Sequence, residues 1–245
     1  MPPSSQSSPA TGHAHFPSTA WSLILEASSE HGEKALDLLC RKYRPSVYNF
    51  IRRSGYSRSA AQDETQDFFV YLLEKEWLKR ADPKKGRFRG LICELLRNFL
   101  ANNQRREHAQ KRSAPGPLRS FDSSECERQL TQEAYANLDP AKAFDRSWFA
   151  CIVAAAVDRL SSEHSTDGKA ELFAALLPFV LQTPERGEYD KLGGRIGKTP
   201  NQVAKSVYLL RHRLKELIRI EVAETLSDRR DVDGELKNLR DSLLF

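Results

Sequence analysis

The stretch Tyr189-Asp-Lys-Leu-Gly-Gly-Arg-Ile-Gly-Lys-Thr-Pro-Asn-Gln-Val203 reads as a short helix, a glycine turn and a second helix whose start is sharply specified. Thr199 stands at the N-cap, Pro200 at the first helical position, and Gln202 three residues after the cap as the partner of a capping box, a device worth about 1 kcal/mol. This is helix-turn-helix grammar. Beyond Pro200, the apolar residues Val203, Val207, Leu210, Leu214 and Leu217 recur at helical spacing and predict an inward stripe. Asn201, Lys205, Tyr208, Arg211, His212 and Lys215 are left facing outward, side chains suited to base edges and phosphates.

Charge is segregated around this motif. Arg186 to Arg219 holds 9 Lys/Arg against 3 Asp/Glu, and an earlier stretch, Lys79 to Arg112, holds 11 against 3. The whole 245-residue chain is only +5, so the remainder is net negative. Two basic helical stretches separated by an acidic, loop-rich one predict two contacts with polyphosphate, each releasing counterions from the nucleic acid as it forms.

Strand signals are scarce and apolar residues recur at three- and four-residue spacing, so the expected class is all-α, with about nine helices. Trp21 to Ser29 and Lys34 to Ser54 come first, the latter with Pro45 as a bend. Ser57 to Arg80 follows, opened by a Ser59-x-x-Gln62 capping box, with Ala61, Thr65, Phe68 and Leu72 as its inner stripe. After the turn Asp82-Pro-Lys-Lys-Gly86 comes Phe88 to about Gln110. Ser113-Ala-Pro-Gly-Pro117 breaks helix, and the polar stretch beyond it reads as a flexible linker. Further helices are expected at Trp148 to Leu160, Ala170 to Leu181, Glu188 to Ile196, Pro200 to Leu226 and Val232 to Leu243.

The expected architecture is two small helical domains joined by that linker: a disordered tail over 1–18, a first domain over 19–112, a linker over 113–143, a second domain over 144–226, and an amphipathic extension over 227–245. No run of 18 apolar residues exists, which excludes a membrane-spanning helix, and the Ser/Pro/His-rich start lacks the features of a secretory signal, so a cytoplasmic location is expected. Cys40, Cys93, Cys126 and Cys151 are far apart, without finger spacing, and give no zinc or disulfide framework.

In the first domain Asp63, Gln66 and Asp67 share one helical face, suited to a protein partner. Asp63 and Asp67 are also spaced to share a metal, but two carboxylates without His or a glycine-rich phosphate loop are a thin basis for catalysis. The next helix interleaves arginines with Phe88, Asn98, Phe99, Asn102 and Asn103, a combination able to stack on or hydrogen-bond unpaired bases. Phe99 sits on the apolar stripe and reads as core.

Three blocks in order, Ala61-Gln-Asp-Glu-Thr-Gln-Asp-Phe-Phe69, Gly86-Arg-Phe-Arg89 with Leu95-Leu-Arg-Asn98, and Leu192-Gly to Arg213-Leu-Lys-Glu-Leu217, resemble a bacterial RNA polymerase sigma factor of the extracytoplasmic-function (ECF) type in the sigma-70 family. The resemblance runs from about Ala35 to Arg219 and includes the Pro/Gly linker. It implies that Asp63, Gln66 and Asp67 dock on the clamp coiled coil of the largest subunit of core RNA polymerase. It implies recognition and opening of the −10 promoter element by Arg97, Asn98, Asn102, Arg105 and Arg106, and reading of the −35 element by Thr199, Asn201, Gln202, Lys205, Tyr208 and Arg211. Core polymerase and promoter DNA are then the partners, and an anti-sigma factor is a further partner compatible with the family.

The chain departs from the family pattern in three places. Glu64 stands where an apolar residue is usual, Gly193 replaces the usual Ala at a helix cost of about 1 kcal/mol, and both the 161–188 segment and the tail after Arg219 are additions. The expectation is a transcription initiation factor without an active site, cofactor or metal. Two other classes remain: a free-standing helix-turn-helix repressor that binds a palindrome without polymerase, and a metal-dependent phosphodiester enzyme using Asp63, Glu64 and Asp67.

Overall fold

The computed structural model describes residues 33–74, 77, 87–109, 123–131, 138–166, 170–226 and 229–244. Among them every regular element is helical. The α-helices are α1 (Glu33–Arg53), α2 (Arg58–Glu74), α3 (Phe88–Ala109), α4 (Ser124–Thr131), α5 (Pro140–Thr166), α6 (Ala170–Leu181), α7 (Glu188–Ile196), α8 (Pro200–Ala223) and α9 (Val232–Leu244), the last preceded by a 3-10 turn, Arg229–Asp231. The tail 1–18, the helix expected at Trp21 to Ser29, the turn Asp82 to Gly86 and most of the linker lie outside the described residues.

Two apolar cores organise these helices. The larger gathers Leu39, Tyr43, Val47 and Ile51 of α1, Phe68 and Leu72 of α2, and Phe88, Ile92, Leu96 and Phe99 of α3. Aromatic edges knit it: Tyr43 meets Phe88 edge-on at 5.3 Å between ring centroids, and Phe68 meets Phe99 at 5.5 Å. The smaller core gathers Phe173, Leu176 and Val180 of α6, Leu192 of α7, and Val203, Val207, Leu210, Leu214 and Leu217 of α8. The inner stripes of α2 and α8 are those the periodicity predicts. Pro45 lies inside α1 without ending it.

The cores do not divide where the sequence divides. Phe144, Trp148 and Ile152 of α5 are buried in the larger core, and Ala156 and Leu160 of the same helix in the smaller one. The boundary expected at 143/144 therefore falls in the first turns of a helix of 27 residues. That helix is apolar on more than one side because its two halves serve different neighbours. Ion pairs reinforce its far half against α8: Arg159 donates to Glu221 at 2.8 Å, and Arg213 grips Glu163 at 2.6 and 3.0 Å.

The expected linker also carries a docked element. Helix α4 buries Cys126 and Leu130 in the larger core. Its Glu127 accepts from Tyr48 and receives both Arg52 Nε at 2.6 Å and Arg52 Nη2 at 3.1 Å. Two arginine hydrogen bonds, outweighing the opposing desolvation, hold the Glu127 carboxyl below the usual glutamate range. The capping box expected at Ser59 and Gln62 does not form. Ser57 takes the cap, its Oγ accepting from Ala60 N at 3.3 Å, and Gln62 Nε2 instead donates to Ser123 Oγ at 2.9 Å, at the start of α4. The helix opens at Arg58, so Ser59 lies inside its first turn rather than at the cap.

Glu127→Gln should lower the unfolding free energy by about 1–3 kcal/mol, as expected for loss of a charge-assisted pair. Because the folded pKa of Glu127 is depressed, its contribution is complete above the unfolded carboxylate pKa and fades as pH falls through the folded value. Urea melts of both proteins between pH 3 and pH 7 should converge at the acid end; a constant gap would remove this ion pair as the cause.

Candidate nucleic-acid interface

The turn between α7 and α8 is held by two glycines for different reasons. Gly197 caps α7 in the left-handed region, at φ 65°, where a side chain is disfavoured. Gly193 donates space rather than a dihedral angle: Lys198 N returns to its carbonyl at 2.9 Å, and a Cβ on Gly193 would lie 2.4 Å from the Lys198 carbonyl oxygen. A glycine at this position costs helix propensity, but the close approach of the Lys198 carbonyl makes it a steric requirement of the turn.

The capping box of α8 forms as the sequence predicts. Gln202 N donates to Thr199 Oγ1 at 3.3 Å, and Thr199 N donates to Gln202 Oε1 at 2.9 Å. Thr199 and Gln202 thus have acceptor oxygens engaged by the backbone, and their first role is to fix the start of α8. Asn201, Lys205, Tyr208, His212 and Lys215 are exposed on one face, with Tyr208 67% accessible. Leu209, beside it, is 55% accessible.

Arg211 does not join this face. Its guanidinium donates to the carbonyls of Phe179 at 2.7 Å, Gln182 at 2.6 Å and Val180 at 3.3 Å. The last carbonyls of α6 have no intrahelical donors, and Arg211 supplies them. The outward reading of Arg211 is corrected: its helical position is lateral to the exposed face, within reach of that helix end.

On α3, Arg97, Asn98 and Asn102 are exposed and share a stripe with Glu94 and Ala101. The Arg105 and Arg106 side chains lie outside the described residues. Phe88 and Phe99 are core, and Asn103 donates to Glu64 at 2.9 Å, tying α3 to α2. Glu64 thereby has a partner across the helix pair. The three residues of the α2 face stand together, Asp63 and Asp67 exposed and Gln66 half-buried. Partial burial, and then the charge of Asp63, push the Asp67 carboxyl above its ordinary value. Among the described residues no group of three His, Cys, Asp or Glu side chains is arranged to hold a metal. No described helix is long and apolar enough to cross a membrane.

Scans of family models, curated proteins and solved structures find no match to this chain.

Gly193→Ala should destabilise the protein by about 1–3 kcal/mol, because overpacking against a backbone carbonyl outweighs the gain in helix propensity of about 1 kcal/mol. Denaturant melts decide it: a stabilised variant would mean the turn relaxes freely. Arg211→Ala should cost about 1–3 kcal/mol through three lost charge-assisted hydrogen bonds, with base preference in any bound DNA unchanged. Altered base preference at wild-type stability would return Arg211 to the reading face.

Proposed function

We propose that the chain is a bacterial RNA polymerase sigma factor of the ECF type, binding core polymerase and promoter DNA to direct transcription initiation. The observation that carries this reading is the capped start of α8, which presents Asn201, Lys205 and Tyr208 outward, with Lys205 one turn before Tyr208 and Lys215 two turns after it. In a helix-turn-helix the N-terminal turns of the second helix enter the major groove. Lys205 and Asn201 then meet base edges of the −35 element, and Tyr208 offers ring and hydroxyl to base and phosphate. The exposed Arg97, Asn98 and Asn102 of α3 serve the −10 element, where cations hold phosphates and amides meet unpaired bases. The α2 face of Asp63, Gln66 and Asp67 meets the clamp of the polymerase largest subunit, whose acceptance of an acidic face requires basic residues opposite. In this role the protein acts by binding, without an active site of its own, inside the bacterial cell.

A free-standing repressor is the second reading, and one observation favours it. Helix α5 runs through both cores, which holds the basic surfaces of α3 and α8 on one framework, as a compact binder of a single operator needs.

Reconstitution with purified bacterial core polymerase separates the two. The sigma reading expects co-elution and initiation from promoter-bearing genomic fragments. Asp63→Ala should weaken the polymerase complex about tenfold, about 1.4 kcal/mol and so within the minority of interface residues whose truncation costs more than about 1 kcal/mol, while DNA affinity of the protein alone stays the same. Lys205→Ala should cost about 1–3 kcal/mol of discrimination at one base position of the −35 element. Tight binding to a palindrome, with no polymerase complex, would replace the sigma reading by the repressor.

A further inference from the structure

The C-terminal segment carries Asp231, Asp233 and Glu235 at alternate positions, across the 3-10 turn and the first turn of α9. Each meets an arginine from one of the two basic stretches. Asp231 Oδ2 lies 3.1 Å from Arg87 Nη2. Glu235 Oε2 lies 2.6 Å from Arg87 Nε, and its Oε1 3.1 Å from Arg89 Nε. Asp233 receives Arg219 through both oxygens, at 2.5 and 3.1 Å. Arg87 and Arg89 stand at the entry to α3, and Arg219 near the end of α8, so one short segment neutralises cations from both basic helices.

Apolar anchors hold the segment there. Val232 and Leu239 are buried in the larger core, with Leu236 packed against it. The acids differ in burial: the Glu235 side chain is 1% exposed, while those of Asp231 and Asp233 are 57% and 79% exposed. Asp231 also lies over the first turn of α9, its Oδ1 beside Gly234, as a capping residue does, but an exposed ion pair contributes little to folding, so stability does not explain the pairing of Asp233 with Arg219. The bidentate grip on Arg219 is the pairing that guanidinium makes with phosphate, and Arg87 combines a hydrogen bond to Asp231 with a close charge contact to Glu235.

We propose that residues 229–244 are an intramolecular clasp in which Asp231, Asp233 and Glu235 occupy, on Arg87, Arg89 and Arg219, the places that phosphates of a bound nucleic acid take. The inference rests on the nucleic-acid reading above and adds that the full chain masks part of its own phosphate-binding surface. DNA and the clasp compete for the same guanidinium groups, and displacement of the segment frees Arg87 and Arg219. Arg89 stays paired on its other side with Asp145 of α5, so it is the least released of the three.

The test uses the full chain carrying Asp231→Asn and Asp233→Asn, two exposed positions whose change keeps the buried Glu235 and the apolar anchors. Binding to a fluorescent DNA duplex of random sequence is titrated across salt concentrations. The double variant should bind about tenfold more tightly near 0.1 M salt, and its plot of log affinity against log salt should steepen by about 1–2, one increment of roughly 0.9 for each arginine returned to phosphate. Asp158→Asn with Glu171→Gln makes the same change in net charge on exposed sites away from these arginines and should leave affinity and slope at the wild-type values. An equal gain in that control, or no gain in the clasp variant, overturns the clasp and leaves the DNA-binding reading standing. Binding by none of the proteins, with folding intact by circular dichroism, overturns the clasp together with that reading.

Discussion

Helix α5 is the constraint on which the rest of the structure depends. Over 27 residues it places Phe144, Trp148 and Ile152 in one apolar core and Ala156 and Leu160 in the other. A rise of about 1.5 Å per residue separates Phe144 from Leu160 by roughly 24 Å, so the two cores are stacked along one rod and share its orientation. Helix α1 packs along its first half, where Arg89 of α3 also reaches it, and α6 and α8 pack along its second, with α7 carried on α8.

Charge then does a different kind of work at each end. At the far half, Arg159 to Glu221 and Arg213 to Glu163 bind α5 to α8 beside an apolar seam. At the near half, Arg89 sits between Asp145 of α5 and Glu235 of α9, its guanidinium 5.7 Å from the centre of the Trp148 ring. Burial opposes the charge of Arg89, and the two carboxylates restore it, so its pKa rises above the ordinary arginine value. A buried pair of this kind adds little net stability over an apolar replacement but penalises any arrangement that leaves one member alone. It therefore specifies how α3, α5 and α9 meet.

The functional reading and the clasp draw on the same charge map. The basic excess of the two stretches is visible along the chain, yet the surface carrying it is smaller than the residue list suggests. Arg211 closes the end of α6, Arg213 serves α5, and Arg87, Arg89 and Arg219 face the C-terminal acids. Of the side chains predicted to face outward on α8, Asn201, Lys205, Tyr208, His212 and Lys215 remain exposed, a narrower set than composition implies. Specificity of a DNA reader resides in such a narrow set, while the remaining cations tune affinity and its salt dependence.

The sequence by itself determined the helical class, the inner stripes of α2 and α8, the limits of α6 and α7, and the Thr199 to Gln202 cap. Each of these rests on interactions within a few residues, which periodicity and capping chemistry express directly. The exposed face of α8 was legible for the same reason, since an amphipathic helix with a fixed start has a fixed outward side. Only the tertiary structure decided that Gln62 reaches Ser123 rather than Ser59, that Glu127 brings α4 down onto α1, that Gly193 makes room for the Lys198 carbonyl, and that Arg211 turns aside to a neighbouring helix end. It alone joined the two cores through α5 and returned α9 to the larger one. Apart from the Gly193 turn, whose close approach depends on how α8 folds back on α7, these are contacts between residues 32 to 146 positions apart, and a long polar side chain carries no local mark of which distant partner will satisfy it.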